Sequence, residues 1–215
     1  MVDLQELHEA ILNGDAKAAA AVTRAALAQN VPALDLIQQA MVPAMDEVGR
    51  RFECQDYFVP ELLLSARAMK AALEPLRPLL AASGAQPAGT VVIGTVKGDL
   101  HDIGKNLVAA LLEGGGFEVI DLGVDVAPEK FVETVQQTNA NIVCLSALLT
   151  VTMLSMKAVI EGLRAAGLRE YVTVLVGGAP VTRQFAEEIG ADGYGENASA
   201  AVALARSCAK SAAVG

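Results

Sequence analysis

Tryptophan is absent from this 215-residue chain, and aromatic residues make up only 4% of it. A core built without large rings must be filled by Ala, Val, Leu and Ile, which suits closely packed helices and parallel strands buried on both faces. Cysteine is scarce too. Cys54, Cys144 and Cys208 are far apart and never in CxxC spacing. That argues against a disulfide framework or a cysteine-rich metal site, and it fits reduced thiols in a cytosol. Basic runs are missing: 16 Lys and Arg face 25 Asp and Glu, a net charge of −9. Nothing here could track a phosphate backbone, so nucleic acid is not an expected partner. No apolar run reaches the roughly 18 residues of a membrane span, and the opening MVDLQELHEA has no basic region leading an apolar stretch. The expectation is a soluble, cytoplasmic protein with no membrane partner.

What is present divides into two patterns, and the length allows two small domains. From Asp3 to about Leu80 apolar residues recur at helical spacing: Leu4, Leu7, Ile11 and Leu12, then Val22, Ala26 and Leu27, then Leu34, Ile37, Met41, Met45 and Val48. This predicts four or five helices and no strand, packed as a bundle over residues 1–82. Pro32, Pro43, Pro60 and Pro75 belong at or near helix starts and breaks. The small, turn-rich stretch Ser83-Gly84-Ala85-Gln86-Pro87-Ala88-Gly89 reads as a linker, 83–89. Over 90–215, β-branched runs alternate with helical segments. Strands are expected at Thr90–Thr95, Phe117–Asp121, Asn141–Ser146 and Val172–Val176, with a weak one near Asp192–Tyr194. Strands separated by helices make an α/β domain with a parallel sheet, and ligands of such sheets sit outside the carboxyl ends of the strands. The loops to watch begin at Thr95, Ser146 and Val176.

The first of these loops reads Val96-Lys97-Gly98-Asp99-Leu100-His101-Asp102-Ile103-Gly104-Lys105-Asn106, and it carries one of the chain's two histidines. A neutral imidazole is a good ligand for a transition metal, and its second N–H is usually held by a carboxylate. Asp99 could supply that acceptor, while Gly98 and Gly104 permit tight turns and close approach of a bulky flat ligand. No nearby cysteine or second histidine completes a zinc site, so any further ligands would come with a cofactor. A solvated histidine beside a helix-capping Asp would give the same residues.

Asp99-x-His101-x-x-Gly104, followed by Ser146-x-Leu148 and then Gly177-Gly178, resembles the cobalamin-binding signature of cobalamin-dependent methionine synthase and of the corrinoid proteins of methyltransferase systems. The resemblance spans essentially the whole chain. It implies an N-terminal helical bundle cap followed by a Rossmann-like (flavodoxin-like) five-stranded parallel sheet. It also implies a cobalamin or related corrinoid, carrying methylcobalamin in the loaded state. His101 would displace the cofactor's own nucleotide base as the lower ligand of cobalt, with Asp99 as its hydrogen-bonding partner. Thr152 falls where the family's relay ends in a hydroxyl, more often that of Ser. Leu100 and Asp102 share the cofactor-binding loop. Ser146 and Thr150 would hydrogen-bond the displaced base or its surroundings near Leu148, and Gly177 and Gly178 would leave room for the nucleotide tail, although a plain strand-to-helix turn reads the same. Tyr194-Gly195-Glu196-Asn197-Ala198-Ser199 resembles the last segment touching the tail, with Ala198 as the contact, and a turn with a helix cap at Asn197 is the other reading. Val48–Phe52, Tyr57–Leu62 and Ser65–Met69 resemble the cap over the upper face of the corrin, where Phe58 and Leu62 would touch the cofactor or else serve the bundle core.

The implied activity is methyl carriage. A substrate-specific methyltransferase would load the cobalt, an acceptor methyltransferase would pass the methyl group to a thiol or a tetrahydrofolate, and a corrinoid activase or reductase would rescue oxidised metal. Proton uptake by the chain of His101, Asp99 and Thr152 would accompany methyl departure. A substrate barrel of roughly 250 residues does not fit in this length, so the chain would be a carrier and not a complete enzyme. The alternatives are a cobalamin-binding light sensor and regulator, a mutase small subunit, and a flavodoxin-like domain that binds nothing. Acidic charge, the lack of a helix-turn-helix ahead of the bundle and the absence of Trp count against the first, and the attached cap against the second. The last leaves the ordered motifs unexplained.

Overall fold

Residues 3–76, 78–79 and 87–212 are described by a computed structural model. The chain divides into a unit formed by Met1–Pro87 with Ala110–Gly116 and another formed by Ala88–Ala109 with Phe117–Gly215. Residues 83–86 of the expected linker lie outside the described residues.

The first unit is helical because its caps and apolar stripes agree. Asp3 accepts the Gln5 N–H to start α1 (Leu4–Leu12), and Asp15 accepts the Lys17 and Ala18 N–H groups to start α2 (Ala16–Ala28). The short α3 (Ala33–Leu36) follows Pro32, and α5 (Val59–Leu73) carries Pro60 in its first turn. Pro43 also lies in the first turn of a helix, α4 (Val42–Glu53), yet the chain does not break there. α3 runs through a π turn at Ile37–Met41 directly into α4. The wider turn just ahead of the proline accommodates a ring that would strike the preceding turn of a regular helix. Leu7, Ile11, Leu36, Met41, Val48, Leu62 and Met69 are buried together as the core of this unit.

The second unit holds a wholly parallel sheet in the order β2-β1-β3-β4-β5. Its strands are β1 (Thr90–Thr95), β2 (Glu118–Asp121), β3 (Ile142–Ser146), β4 (Thr173–Gly177) and β5 (Gly193–Gly195), each within a residue or so of its sequence expectation. Crossovers run through α6 (Ile103–Gly114), α7 (Pro128–Thr138), α8 (Leu154–Ala165) and α9 (Arg183–Ile189), and α10 (Ala198–Ala212) closes the described chain. Val92, Val143 and Val174 from the sheet meet Phe131, Met156, Val159, Ile160 and Leu163 from the helices in one apolar cluster. Gly94 makes room for that packing, since a β-carbon there would lie 2.8 Å from the Phe131 ring. Thr95 pairs with Ser146, Ser146 with Gly177 and Gly177 with Gly195, so the carboxyl ends of four strands are level. In this order the connections diverge between β1 and β3, which opens a crevice beyond Thr95 and Ser146. No helix among the described residues is long and apolar enough to cross a membrane.

Candidate functional site

The crevice is occupied by the loop after β1, and Asp99 is what holds that loop. Gly98 takes a left-handed turn with φ +86°, which suits glycine and folds Asp99 back so that its N–H donates to the Val96 carbonyl. The Asp99 side chain is 0% exposed. One carboxylate oxygen accepts the Thr152 hydroxyl at 2.6 Å and the backbone N–H groups of Leu148 at 2.7 Å and Leu149 at 3.3 Å. The other accepts the His101 backbone N–H at 3.1 Å and lies 2.7 Å from His101 Nδ1. Burial alone would push this carboxyl up, but the hydrogen bonds from Thr152, Leu148 and His101 outweigh it and hold Asp99 well below the usual carboxylate range.

An ionised Asp99 can only accept, so Nδ1 of His101 carries the hydrogen and Nε2 is left with its lone pair. The His101 side chain is 51% exposed, and its carbonyl accepts the Thr95 hydroxyl at 2.9 Å. Ring and backbone are thus fixed while Nε2 remains available. No group of three metal-ligating side chains occurs among the described residues. A metal held at Nε2 would have to bring its other ligands with it, which fits a metal-bearing cofactor more than a metal ion bound by side chains alone.

The remaining expected residues separate into those that surround this centre and those that do not. Gly98, Leu100, Asp102, Leu148 and Thr150 are exposed on the two loops joined by Asp99, and Gly104 is exposed in the first turn of α6. A β-carbon at Gly104 would meet nothing within 4 Å, so the space above it is open to a ligand. Ser146 is half-buried at the end of β3, and its hydroxyl meets no partner among the described residues. Gly178 has φ +128°, and a β-carbon there would fall 1.8 Å from the Ala147 carbonyl oxygen; at Gly177 it would lie 3.0 Å from that of Gly195. These two glycines let the strand-end loops approach one another. The Asn197 side chain accepts the Ala200 N–H at 2.8 Å and caps α10. Ala198, 7% exposed, sits within that turn and cap. In the helical unit Phe58 is 63% exposed, at the start of α5, where its N–H donates to Glu61. Leu62, expected as a second contact with the upper face, is instead buried among the core residues of the bundle, whereas Phe58 is the extended N-cap residue ahead of the helix and stays outside that core.

Sequence reasoning missed two components. The first is most of an apolar fringe: beside the expected Leu100 and Leu148, Ile103, Leu149, Val151 and Leu154 are also exposed around His101, the six ranging from 42% to 75%. The signal was an apolar run after Ser146 that belongs to no strand, where turn residues would be expected. Such a patch marks a surface awaiting an apolar partner, and a broad flat ligand lying over His101 would cover it. The second component is the loop after β2, in which Asp125 accepts the Gly98 N–H at 2.7 Å.

Comparison with known proteins agrees with this geometry. Residues 89–203 and residues 3–77 each match a family described as a B12 binding domain. The chain is 42% identical over 205 residues to a corrinoid protein of Desulfitobacterium hafniense (strain Y51), across 94% of this chain and 95% of that one. It is 44% identical over 198 residues to trimethylamine corrinoid protein 2 of Methanosarcina mazei, across 91% of each. Among solved structures it superposes on a chain of the methanol:cobalamin methyltransferase complex MtaBC of Methanosarcina barkeri with a TM-score of 0.84 at 32% identity, covering 96% of this chain and 79% of that one.

Proposed function

This chain belongs to the B12-binding corrinoid proteins, and from that premise we propose that it carries a methyl group between two methyltransferases on a cobalt ligated by His101. The observation that carries the assignment is the Asp99 clasp, which leaves His101 Nε2 as a single oriented donor, with no group of three potential metal ligands among the described residues. When bound, the corrinoid supplies a cobalt that can accept and release a methyl cation.

The chain's own residues do the rest. Asp99 fixes the His101 tautomer and makes the ring a better donor. Thr152 and the Leu148 and Leu149 N–H groups hold the carboxylate so that it does not follow the ring. Asp99 holds the Nδ1–H of His101 and so keeps Nε2 turned outward, the atom that would ligate the metal. The apolar fringe keeps water from the face that His101 approaches. Ser146, Thr150, Gly177 and Gly178 line the route for the displaced nucleotide, with Ala198 at its edge. In this reading residues 1–82 are the helical domain, 83–89 the linker and 90–215 the cofactor domain.

The partners are a substrate methyltransferase and an acceptor methyltransferase, with an activase or reductase that restores the metal's reactive state, all in the cytoplasm. The relatives named for trimethylamine and for methanol share this architecture, which supports a carrier whose substrate is chosen by its partner. Reconstitution with cobalamin tests the reading. The wild type is expected to show a cofactor with its own base released and, in the cob(II) form, the paramagnetic splitting of one axial nitrogen. His101→Ala is expected to lose that splitting. Identical spectra from the two proteins would refute the assignment.

A further inference from the structure

Asp99 is not the only group that restrains the ligand segment. Lys105, in the first turn of α6, has a side chain 2% exposed. Its ammonium donates to both oxygens of Asp121, at 2.6 and 2.5 Å, and to the Asn106 side-chain oxygen at 2.7 Å. Asp121 ends β2 and also accepts the Gly123 N–H at 2.8 Å, so the carboxylate is fixed at the root of the loop that follows. Asn106 in turn donates to the Asp102 carboxylate at 3.1 Å, which ties this grip to the residue beside His101. At the other end of the segment, the Gly98 N–H donates to Asp125 at 2.7 Å, and the Asp125 N–H donates to the Asp99 carbonyl at 2.9 Å. Asp125 does this from a left-handed conformation, φ +53°. The loop between the two carboxylates is itself bonded along β1, through Leu122 N–H to the Ile93 carbonyl and Thr95 N–H to the Gly123 carbonyl.

We propose that the loop after β2 positions His101 for cobalt, gripping the ligand segment at both ends through Asp125 at Gly98 and through Asp121 on Lys105. The inference rests on the reading of His101 as the cobalt ligand. The Lys105 ammonium is buried while the Asp121 carboxylate is 39% exposed, so water screens the pair and the cost of desolvating the ammonium offsets its attraction, which makes it a poor device for stability alone. What it fixes is position: the first turn of α6 cannot slide or rotate against β2 without stripping a buried ammonium of its partners. His101 lies between two anchors set on one rigid loop, which is the arrangement expected where a metal ligand must be held to about half an ångström.

The test compares full-length wild type, Lys105→Met and Asp125→Gly. The readouts are cobalamin titration in the visible spectrum, the axial-nitrogen splitting of the cob(II) form, and thermal melting without cofactor. Lys105→Met fills the same buried space without the charge and leaves the half-exposed Asp121 carboxylate to water and the Gly123 N–H. It is expected to melt within a few degrees of wild type, to bind cobalamin about tenfold more weakly, and to show a reduced fraction of nitrogen-ligated cobalt. Asp125→Gly suits the left-handed backbone, so it is expected to fold normally and to weaken binding about threefold in the same direction. Wild-type affinity and full nitrogen splitting in both variants would overturn the proposal. Should Lys105→Met melt far below wild type, Asp125→Gly decides by the same readouts. A wild type lacking axial nitrogen would overturn the ligand reading itself and this inference with it.

Discussion

Replacing Asp99 by Asn removes one proton acceptor and one charge while keeping the shape, so it isolates what the carboxylate does. Three donors converge on one oxygen, from Leu148, Leu149 and Thr152, and two on the other, both from His101. Asn has a single acceptor oxygen. Whichever way the amide turns, its NH₂ faces at least two hydrogen-bond donors. Each buried donor left unsatisfied costs about 1–3 kcal/mol, and the half-exposed His101 ring can recover part of that from water. The net destabilisation is therefore about 3 kcal/mol, or roughly 10 °C in melting midpoint for a domain of this size. Its pH dependence follows from the direction of the Asp99 shift. A carboxyl held below its unfolded value contributes stability that is fully present above about pH 4 and is lost as pH falls toward the folded value. The difference between wild type and Asp99→Asn should be full at pH 7 and shrink in acid. Circular dichroism melts of the cofactor-free proteins from pH 7 to pH 3 measure this. Equal midpoints at pH 7, or a difference unchanged in acid, would refute the claim that Asp99 is an ionised, multiply bonded clasp.

The two best-placed glycines should respond oppositely to alanine. Gly178→Ala forces a β-carbon against the Ala147 carbonyl in a backbone conformation foreign to L residues, and should cost more than about 3 kcal/mol or prevent soluble expression. Gly104→Ala meets nothing and should raise the melting midpoint slightly, by about 0.5–1 kcal/mol of helix propensity. It should nevertheless weaken cobalamin binding, because the new methyl group stands where the cofactor approaches; unaltered binding would show that this space is not used. Ile103→Lys and Val151→Lys, both made on exposed positions of the fringe, should leave the melting midpoint of the cofactor-free protein within about 0.5 kcal/mol of wild type. Both should lower cobalamin affinity, and unchanged affinity would remove the fringe from the site.

Much of this was legible beforehand, and the reasons differ by element. The strands were readable because Val91, Val92 and Ile93, or Val174, Leu175 and Val176, are continuous β-branched or aliphatic runs bounded by turn residues, as buried parallel strands must be. His101 and Asp99 were readable because a histidine with a nearby carboxylate at a strand end is an unusual pairing with a specific chemistry. Leu62 was not, since the residues Phe58-Val59-Pro60-Glu61-Leu62 do not say which side chain the first turn of α5 sends inward. Pro43 marks a helix start without marking a break, because a π turn of ordinary residues absorbs it. Lys105, Asp121 and Asp125 were invisible for another reason. Their partners lie 16 residues apart in one case and 27 in the other, and a lysine between a glycine and an asparagine looks like a solvated charge until the fold buries it.

The two halves of the site differ in what they need from a ligand. Asp99 is engaged by Thr152, Leu148, Leu149 and His101, so the chain's own residues hold the orientation of the His101 ring. The fringe from Leu100 to Leu154 is the opposite, apolar surface that only a bound partner can cover. The chain's own hydrogen bonds thus set the orientation, while burial of the fringe would add to the affinity for whatever covers it. That division suits a carrier. The cofactor would have to stay in place while separate enzymes approach it in turn, and under the proposed ligation the His101 ring would have to keep its orientation throughout. A single histidine on a rigid clasp, within an apolar collar, meets both demands.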